Sequence, residues 1–555
     1  MALITIDGRP IEVEPGTLII QAADRLGVEI PRFCYHPDLR PEGNCRMCMV
    51  KVKGYPRLAV ACATPVADGM VVETPHRDEV ARQAVNGVLE FLLVNHPLDC
   101  PICDQSGECS LQDFYMDPDY GLHDSQVDPA EKVRKRKAIP LGPLVVLDSE
   151  RCVMCSRCVR FSREVSGYGE LEFVNRGNRV ELKAFEDRAL EDPYAGNLVD
   201  VCPVGALTSR DFRFKRRVWY LDSAPSICPG CSTGCNVRID HYAGRIERVV
   251  ARRNPDVNRS WMCDEGRLGH RRLTERPRLV TPSLLQGGDR GPCSWDEALE
   301  ASGELLGEMA RVASDGGAKA AFLASCSATN EALWLFRQLA RATAPDALLD
   351  AGTGEEARLV DAREDALLRR LDKSANTRGA MLLGLAAGGG LAAMSALAKG
   401  GQVGLSVILY YPPTVGPEPP ERLALLASLV EKSARSVVLA THEADWQRAA
   451  TVVLPVAAWA EEEGTYTNFA GTVQHCATAL PPPGAARTAA AALTGLLSAR
   501  MQVVAPQTPA AIFEEIAAEV AAYRGLSYAT LASRRADVYP PEGRMRYGQE
   551  GFAGR

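Results

Sequence analysis

The sequence predicts a multidomain protein of α+β and α/β class, and three observations carry that expectation. At 555 residues the chain is several times the length of one domain, which averages ~100–200 residues. All but three of its 18 cysteines lie between Cys34 and Cys263 in tight groups, leaving only Cys293, Cys326 and Cys476 outside. Beyond about Pro277 cysteine nearly vanishes. Apolar strand-like runs (AAFLA, AMLLGL, VGLSVILYY, SVVLAT, TVVLPVA) then alternate with helical segments such as 330–342, the pattern of a parallel sheet covered by helices.

Charge is mildly acidic, 63 Lys+Arg against 70 Asp+Glu, so no global basic field suits nucleic acid. Grouped C-x2-C pairs in a large chain point to metal rather than to the disulfide framework of a small secreted domain. MALITIDGRPIEVEPG runs directly into strand patterning without an apolar signal core. The longest apolar stretch, 384–398, is short of the ~20 residues of a membrane helix. These features predict a soluble protein of a reducing compartment.

Residues 2–6 and 11–13 alternate around Asp7-Gly8, a hairpin signature. A helix over 17–26 follows, with Ile19, Ala22, Ala23 and Leu26 on one face. Cys34, Cys45, Cys48 and Cys62 then give C-x10-C-x2-C-x13-C. A long loop, a tight C-x-x-C and a distant strand end share the logic of plant-type [2Fe–2S] sites, with zinc the alternative. A helix over 77–94, with Val80, Ala84, Val88 and Leu92 as its apolar row, leads to HPLDCPICDQSGEC. Its donors His96, Cys100, Cys103 and Cys109 suit zinc or an iron–sulfur cluster equally well when taken alone. The connector 116–139 is polar, and its basic run Arg134 to Lys137 reads as solvated surface.

RCVMCSRCVRFS supplies Cys152, Cys155 and Cys158 after the strand LVVLD. In two-cluster bacterial ferredoxins a fourth cysteine follows and ligates the other cluster. Ser162 stands there instead, and Cys202-Pro203 survives from a second motif whose other cysteines are missing. The crossover rule therefore assigns Cys202 to Cys152, Cys155 and Cys158 as one [4Fe–4S] site, zinc again the alternative. Arg151, Arg157 and Arg160 interleave this set, either tuning it or simply facing solvent. Cys228, Cys231, Cys235 and Cys263 make a fourth set, with a hairpin around Ala243-Gly244 between its last two members. In the remainder, Glu461 to Glu463 read as a loop charge run, PPPG at 481–484 as a linker, and 539–555 as a tail. The glycines at 352, 354 and 388–390 do not form a dinucleotide fingerprint, and no catalytic residue is assigned.

CYHP…GNCRMC, HPLDCPICDQSGEC and RCVMCSRCVRF resemble the large iron–sulfur subunit of the peripheral arm of respiratory complex I, over roughly residues 1–277. From Ser226 onward SWDEAL, TNEALWLFRQLARA and GTYTNFAGTVQ are similar to molybdopterin oxidoreductases. The resemblance implies a plant-type-ferredoxin-like β-grasp domain with one [2Fe–2S] cluster (1–78) and a mixed His/Cys-ligated [4Fe–4S] domain (79–120). It further implies a degenerate bacterial-ferredoxin-like [4Fe–4S] domain (140–218) and a [4Fe–4S] domain of molybdopterin-oxidoreductase type (221–277), then a truncated, degenerate α/β domain (278–538). The motif around His96 becomes a [4Fe–4S] site, making one [2Fe–2S] and three [4Fe–4S] clusters. No molybdopterin is expected: Glu265 replaces the Lys of C-x-K-G, and 348–358 offers no soft metal ligand. Cys326 is misplaced for a ligand and reads as a buried apolar residue.

The implied role is electron relay within an NADH:quinone oxidoreductase. Partners would be a flavin/NADH-binding subunit and downstream iron–sulfur subunits, on the cytoplasmic face of a bacterial inner membrane and touching the membrane only through the complex. The fourth set would lie off the main route. Alternatives are the electron-transfer subunit of a soluble NAD-linked hydrogenase, a molybdopterin formate dehydrogenase subunit, or a zinc scaffold.

Overall fold

A computed structural model describes residues 1–118, 120, 130, 132–314, 318–352, 364–385, 390–501 and 508–533. The tail at 539–555, most of 348–358, and Gly354, Gly388 and Gly389 lie outside these. The chain divides after Leu221 into two compact units.

In the first unit the hairpin forms as the alternation predicts. Strands Ala2–Ile6 and Arg9–Val13 pair antiparallel, and Asp7 and Gly8 both take positive φ, as a two-residue hairpin turn of this twist requires. Ala2–Ile6 also pairs in parallel with Val71–Glu73, and Met49–Val52 and Ala59–Val60 complete a five-stranded mixed sheet. The helix begins at Ile19 and runs to Leu26, burying Ile19, Ile20, Ala22 and Ala23. The next helix spans Glu79–Asn95, capped by the Asp78 carboxylate on the Ala81 N–H at 2.7 Å. Its buried row is Ala81, Val85 and Leu89, while Val80 is exposed. The predicted row lies one position away because apolar residues fill two adjacent i, i+4 rows, and spacing alone does not choose between them.

A three-stranded sheet of Ile139–Pro140, Val145–Leu147 and Leu207–Ser209 carries the next cysteines. The basic run beside it is not simply solvated. Lys137 pairs with Asp99 (2.6 Å), Glu150 (2.9 Å) and Asp148 (3.2 Å), and Lys135 donates to the Val180 carbonyl at 2.6 Å.

The second unit opens with an antiparallel sheet of Asp222–Ile227, Asn236–Tyr242 and Arg245–Ala251, turning at Ala243-Gly244. A seven-stranded sheet follows. Strands Val452–Pro455, Arg435–Ala440, Val403–Tyr410, Lys319–Leu323 and Leu348–Asp350 run parallel in that order, with an antiparallel hairpin of Ser283–Gln286 and Asp289–Pro292 at one edge. Helices including Trp295–Ser314, Asn330–Thr343 and Ala489–Met501 cover it. AMLLGL is not a strand: Thr377–Leu382 is helical, since a short apolar run without β-branched residues fits a buried helix equally well. PPPG at 481–484 is a packed turn rather than a linker, with the Ala485 N–H on the Val280 carbonyl and no room for a Cβ at Gly484 beside Val280. Cys326 is buried, its thiol 2.9 Å from the Ala351 carbonyl. Among the described residues no helix is long and apolar enough to cross a membrane.

Candidate iron–sulfur centres

Most donors of the four sets lie in loops or at helix ends; Cys100 opens the 3-10 turn Cys100–Ile102 and Cys158 lies in the short helix Arg157–Arg160. In the first, Cys34, Cys48 and Cys62 are buried and Cys45 is half-buried. Hydrogen bonds from Cys45 and Cys62 hold the Cys34 thiol well below its ordinary value, and the same contacts push Cys45 and Cys62 up. Cys48 is lowered by its hydrogen bond with Cys62. The Cys34 N–H lies 3.4 Å from the Cys45 sulfur. The four donors therefore face one another.

Around Cys152, Cys155, Cys158 and Cys202 the structure leaves a cavity lined by all four residues together with Val153, Phe173, Leu182 and Val204. Burial pushes the Cys152 thiol up to about 12 and Cys155 to about 11. Ser162 is buried, and its hydroxyl accepts the Glu170 N–H at 3.1 Å and so holds a turn together.

Burial is the largest influence on Cys103 and Cys109 and pushes both thiols up; the neighbouring Cys100 adds to the push on Cys103, and Cys103 to that on Cys109. His96 caps the end of the helix Glu79–Asn95, and its carbonyl accepts from the Lys132 ammonium at 2.9 Å. Burial and the nearby Arg151 guanidinium lower the imidazole to about 4. It is therefore neutral at pH 7, the state in which histidine binds metal. Arg151 also acts on Cys103, so His96 and Cys103 share one charged neighbour. In the second unit Cys228, Cys231, Cys235 and Cys263 are all buried; burial, then the charge of neighbouring thiols, pushes Cys228, Cys235 and Cys263 up.

Two features suit these loops to a cofactor larger than a side chain. The first is the absence of a Cβ where a sulfur sits. A methyl at Gly205 would lie 2.2 Å from the Cys103 sulfur, and one at Gly266 would lie 2.8 Å from that of Cys228. The second is a left-handed residue inside every set: Arg46, Gly107, Met154 with Ser156, and Gly234. Alternating handedness turns successive N–H groups inward into the concavity that iron–sulfur sites use. At Arg46, Met154 and Ser156 that conformation costs about 1–2 kcal/mol each. Nothing in those residue types announced it. Among the described residues no three His, Cys, Asp or Glu side chains close tightly enough for a single metal ion; a cluster places several irons between its thiolates.

Gly205→Ala tests the first feature. Its backbone φ is ordinary, so crowding of Cys103 is the main effect. The variant is expected to lose the cluster signal of the His96 set and about four irons. Gly87→Ala, in the helix Glu79–Asn95 with open space around it, should keep them all. Equal iron in both variants would show that the cradle does not matter.

The arginines between the cysteines are buried, which removes the solvent-facing alternative: Arg157 is 1% exposed, Arg151 3% and Arg160 8%. Arg157 donates to the Tyr35 carbonyl at 2.6 Å and to the Val201 carbonyl at 3.4 Å. Arg160 donates to the carbonyls of Cys34 and Arg40 and pairs with Glu42 at 3.0 Å. On the other side of the Cys152 loop, the Ser110 N–H donates to the Pro203 carbonyl at 3.0 Å, and Arg151 pairs with Asp99 at 2.8 Å. One apolar core contains Cys34, Cys48, Cys62, Cys109 and Cys155, with Cys45, Cys152 and Cys202 packed against it. The Cys152 set is thus joined by hydrogen bonds to both the Cys34 set and the His96 set.

The sequence matches several families in series. Residues 2–77 match a 2Fe-2S iron-sulfur cluster binding domain and 86–125 the NADH-ubiquinone oxidoreductase-G iron-sulfur binding region. Residues 142–208 match the ferredoxin-like domain of NADH-quinone oxidoreductase subunit 3. Residues 221–275 match the molybdopterin oxidoreductase Fe4S4 domain, and 366–497 match molybdopterin oxidoreductase itself. An NADH-quinone oxidoreductase subunit of Streptomyces coelicolor is 45% identical over 307 residues, covering 55% of this chain and 36% of that one. The NADH-quinone oxidoreductase subunit of the same designation in Rickettsia bellii is 41% identical over 306 residues, 55% of this chain and 44% of that one. The mitochondrial NADH-ubiquinone oxidoreductase 78 kDa subunit of Neurospora crassa is 41% identical over 296 residues, 53% of this chain and 39% of that one. The chain spans less than half the length of each of these curated relatives.

Proposed function

We propose that this chain, a homologue of the large iron–sulfur subunits of NADH-quinone oxidoreductases, is an electron relay between a flavin-bearing partner and quinone. The observation that carries the reading is the shared core that joins three donor sets in the first unit. Cys34, Cys45, Cys48 and Cys62 would hold a [2Fe–2S] cluster. His96, Cys100, Cys103 and Cys109, then Cys152, Cys155, Cys158 and Cys202, and finally Cys228, Cys231, Cys235 and Cys263 would each hold a [4Fe–4S] cluster. Such clusters supply one-electron chemistry at potentials set by their charge, hydrogen bonds and exposure.

The chain's own residues supply spacing and insulation. Arg157 and Arg160 fix the Cys34 loop against the Cys152 loop, and the Ser110–Pro203 bond fixes the Cys109 loop on its other side. The order this contiguity supports is Cys34 set, Cys152 set, His96 set. Cys100 is exposed at the last of these, beside exposed Leu98 and Ile102, which suits exit to a downstream iron–sulfur subunit. The Cys228 set belongs to the second unit and is assigned off this route. Molybdopterin has no part in the reading, since Glu265 stands in the usual lysine position and 348–358 contains no cysteine.

The domain assignments expected from the sequence (1–78, 79–120, 140–218, 221–277 and 278–538) are kept as part of this proposal, as is a peripheral position on the cytoplasmic side of a membrane complex. The test is iron, acid-labile sulfide, molybdenum and zinc on one anaerobically purified sample. About 14 iron atoms per chain, the content of one [2Fe–2S] and three [4Fe–4S] centres, with no molybdenum is the expected result. Stoichiometric molybdenum would move the function to a catalytic oxidoreductase, and zinc in place of iron would end the relay reading.

A further inference from the structure

The loop bearing Cys228, Cys231 and Cys235 is roofed by residues 364–376. The Ser232 N–H donates to the Asp372 carbonyl at 2.9 Å, the Thr233 hydroxyl donates to the Leu368 carbonyl at 2.6 Å, and the Cys231 sulfur lies 3.8 Å from that same carbonyl. The roof is stiffened from within. The Asp365 carboxylate accepts the N–H groups of Leu367, Leu368 and Arg369 at 2.9–3.1 Å, and the Asp372 carboxylate accepts from the Ser374 N–H and the Thr377 hydroxyl.

Lys373 is carried between these fixed points. Its side chain is 5% exposed and its ammonium donates to Glu265 Oε2 at 3.0 Å, while Arg369 stands 3.6 Å from the other oxygen. Glu265 follows Cys263 by two residues, in the helix Asp264–Leu268. The backbone at Gly266 comes so close to the Cys228 sulfur that a Cβ there would clash at 2.8 Å. The pair therefore lies beside a donor sulfur. Burial and Cys231 push the Cys228 thiol up; Glu265 adds to that push and Lys373 opposes it.

We propose that Lys373 is a positioning residue that sets the reduction potential of the cluster held by Cys228, Cys231, Cys235 and Cys263, with Glu265 as its counterweight. The inference rests on the cluster reading above. Reduction adds a negative charge to the centre, and a cation fixed in a dry site favours that state far more than one in water. Cluster potential responds to nearby net charge in the same sense. A salt bridge too far from the cluster to act on its charge would leave the potential alone when either partner is neutralised.

The test is a redox titration of the fully loaded chain, following each cluster by electron paramagnetic resonance. Lys373→Gln is expected to make this centre harder to reduce by about tenfold in the equilibrium constant, which for a one-electron couple is about 59 mV. Glu265→Gln should shift it the opposite way by a similar factor, Lys373→Arg should stay near the unaltered chain, and the other three centres should not move. Unmoved midpoints in Lys373→Gln and Glu265→Gln would overturn the proposal. If Lys373→Gln fails to hold its cluster, Glu265→Gln decides: an upward shift supports the charge role and no shift overturns it. Absence of this fourth cluster from the unaltered chain would overturn both this inference and the cluster reading beneath it. A cluster that is present with an unmoved potential overturns this inference alone.

Discussion

Cys155→Ala in the full chain is expected to bind about 10 iron atoms in place of about 14, with one [4Fe–4S] signal missing. On the relay proposed above, it should stop NADH-to-quinone electron flow in the assembled complex and leave NADH oxidation by artificial flavin acceptors intact. The size of the effect follows from position. Cys155 is 7% exposed, lines the cavity of its set and belongs to the core that also contains Cys34, Cys48, Cys62 and Cys109. On the proposed order, removing this centre opens a gap between the Cys34 set and the His96 set and so interrupts the series. Cys326→Ala is the matched control: it is equally buried, but its thiol lies against the Ala351 carbonyl and outside every donor set, and full iron is expected. Loss of both activities in Cys155→Ala would indicate a folding or assembly fault instead of a broken relay.

The second large effect is on stability in the second unit. Glu331 and Glu462 are 0% and 1% exposed. Glu331 accepts from the Thr465 N–H and hydroxyl, both at 2.8 Å, and from the Tyr528 hydroxyl at 2.9 Å. Glu462 accepts from the Tyr411 hydroxyl at 3.0 Å. Burial dominates both, pushing Glu331 up to about 7 and Glu462 to about 8, and the Glu331 charge adds to the push on Glu462. The surrounding groups are Glu461, held by Arg278 at 2.6 Å, together with Tyr466, Tyr523 and Cys476.

The sign follows from proton binding. From the ordinary carboxyl value of 4.5 up to about 8 the folded chain binds more protons than the unfolded one, so stability falls as pH rises. The contribution is fully present below 4.5 and is lost by the time both groups have ionised, a change on the order of a few kcal/mol. Urea unfolding read by tryptophan fluorescence reports this unit, because Trp261, Trp295, Trp334, Trp446 and Trp459 lie in it and only Trp219 does not. Glu462→Gln keeps an acceptor for Tyr411 and should flatten the decline between about pH 5.5 and 8.5. An equally steep decline in the variant would place the titration elsewhere.

The grouping of the cysteines was legible because spacing is written directly in the sequence, and the structure brings Cys152, Cys155, Cys158 and Cys202 to one cavity; that they ligate clusters is part of the proposal. The assignment of Cys202 to a loop more than 40 residues away needed only the missing cysteine at Ser162. Four features were not legible, each for a physical reason. The left-handed backbone at Met154 and Ser156 is imposed by the loop and not by the residue types. The burial of Arg151, Arg157 and Arg160 depends on carbonyls supplied by distant loops. The Glu461 to Glu463 run looks like surface in one dimension, yet Glu461 and Glu462 are buried, because Arg278 and Tyr411 reach them from elsewhere in the sequence. Lys373 follows Glu265 by more than a hundred residues, and no local pattern connects the two.

Arg157 and Arg160 also bear on how the molecule wears out. Each grips the backbone of a loop that belongs to a neighbouring set. With the centres occupied as proposed, loss of metal from one would loosen a loop whose carbonyls hold an arginine of the next. Damage would then spread by way of the shared hydrogen bonds, and refilling one centre would require its neighbour's loop to be in place as well.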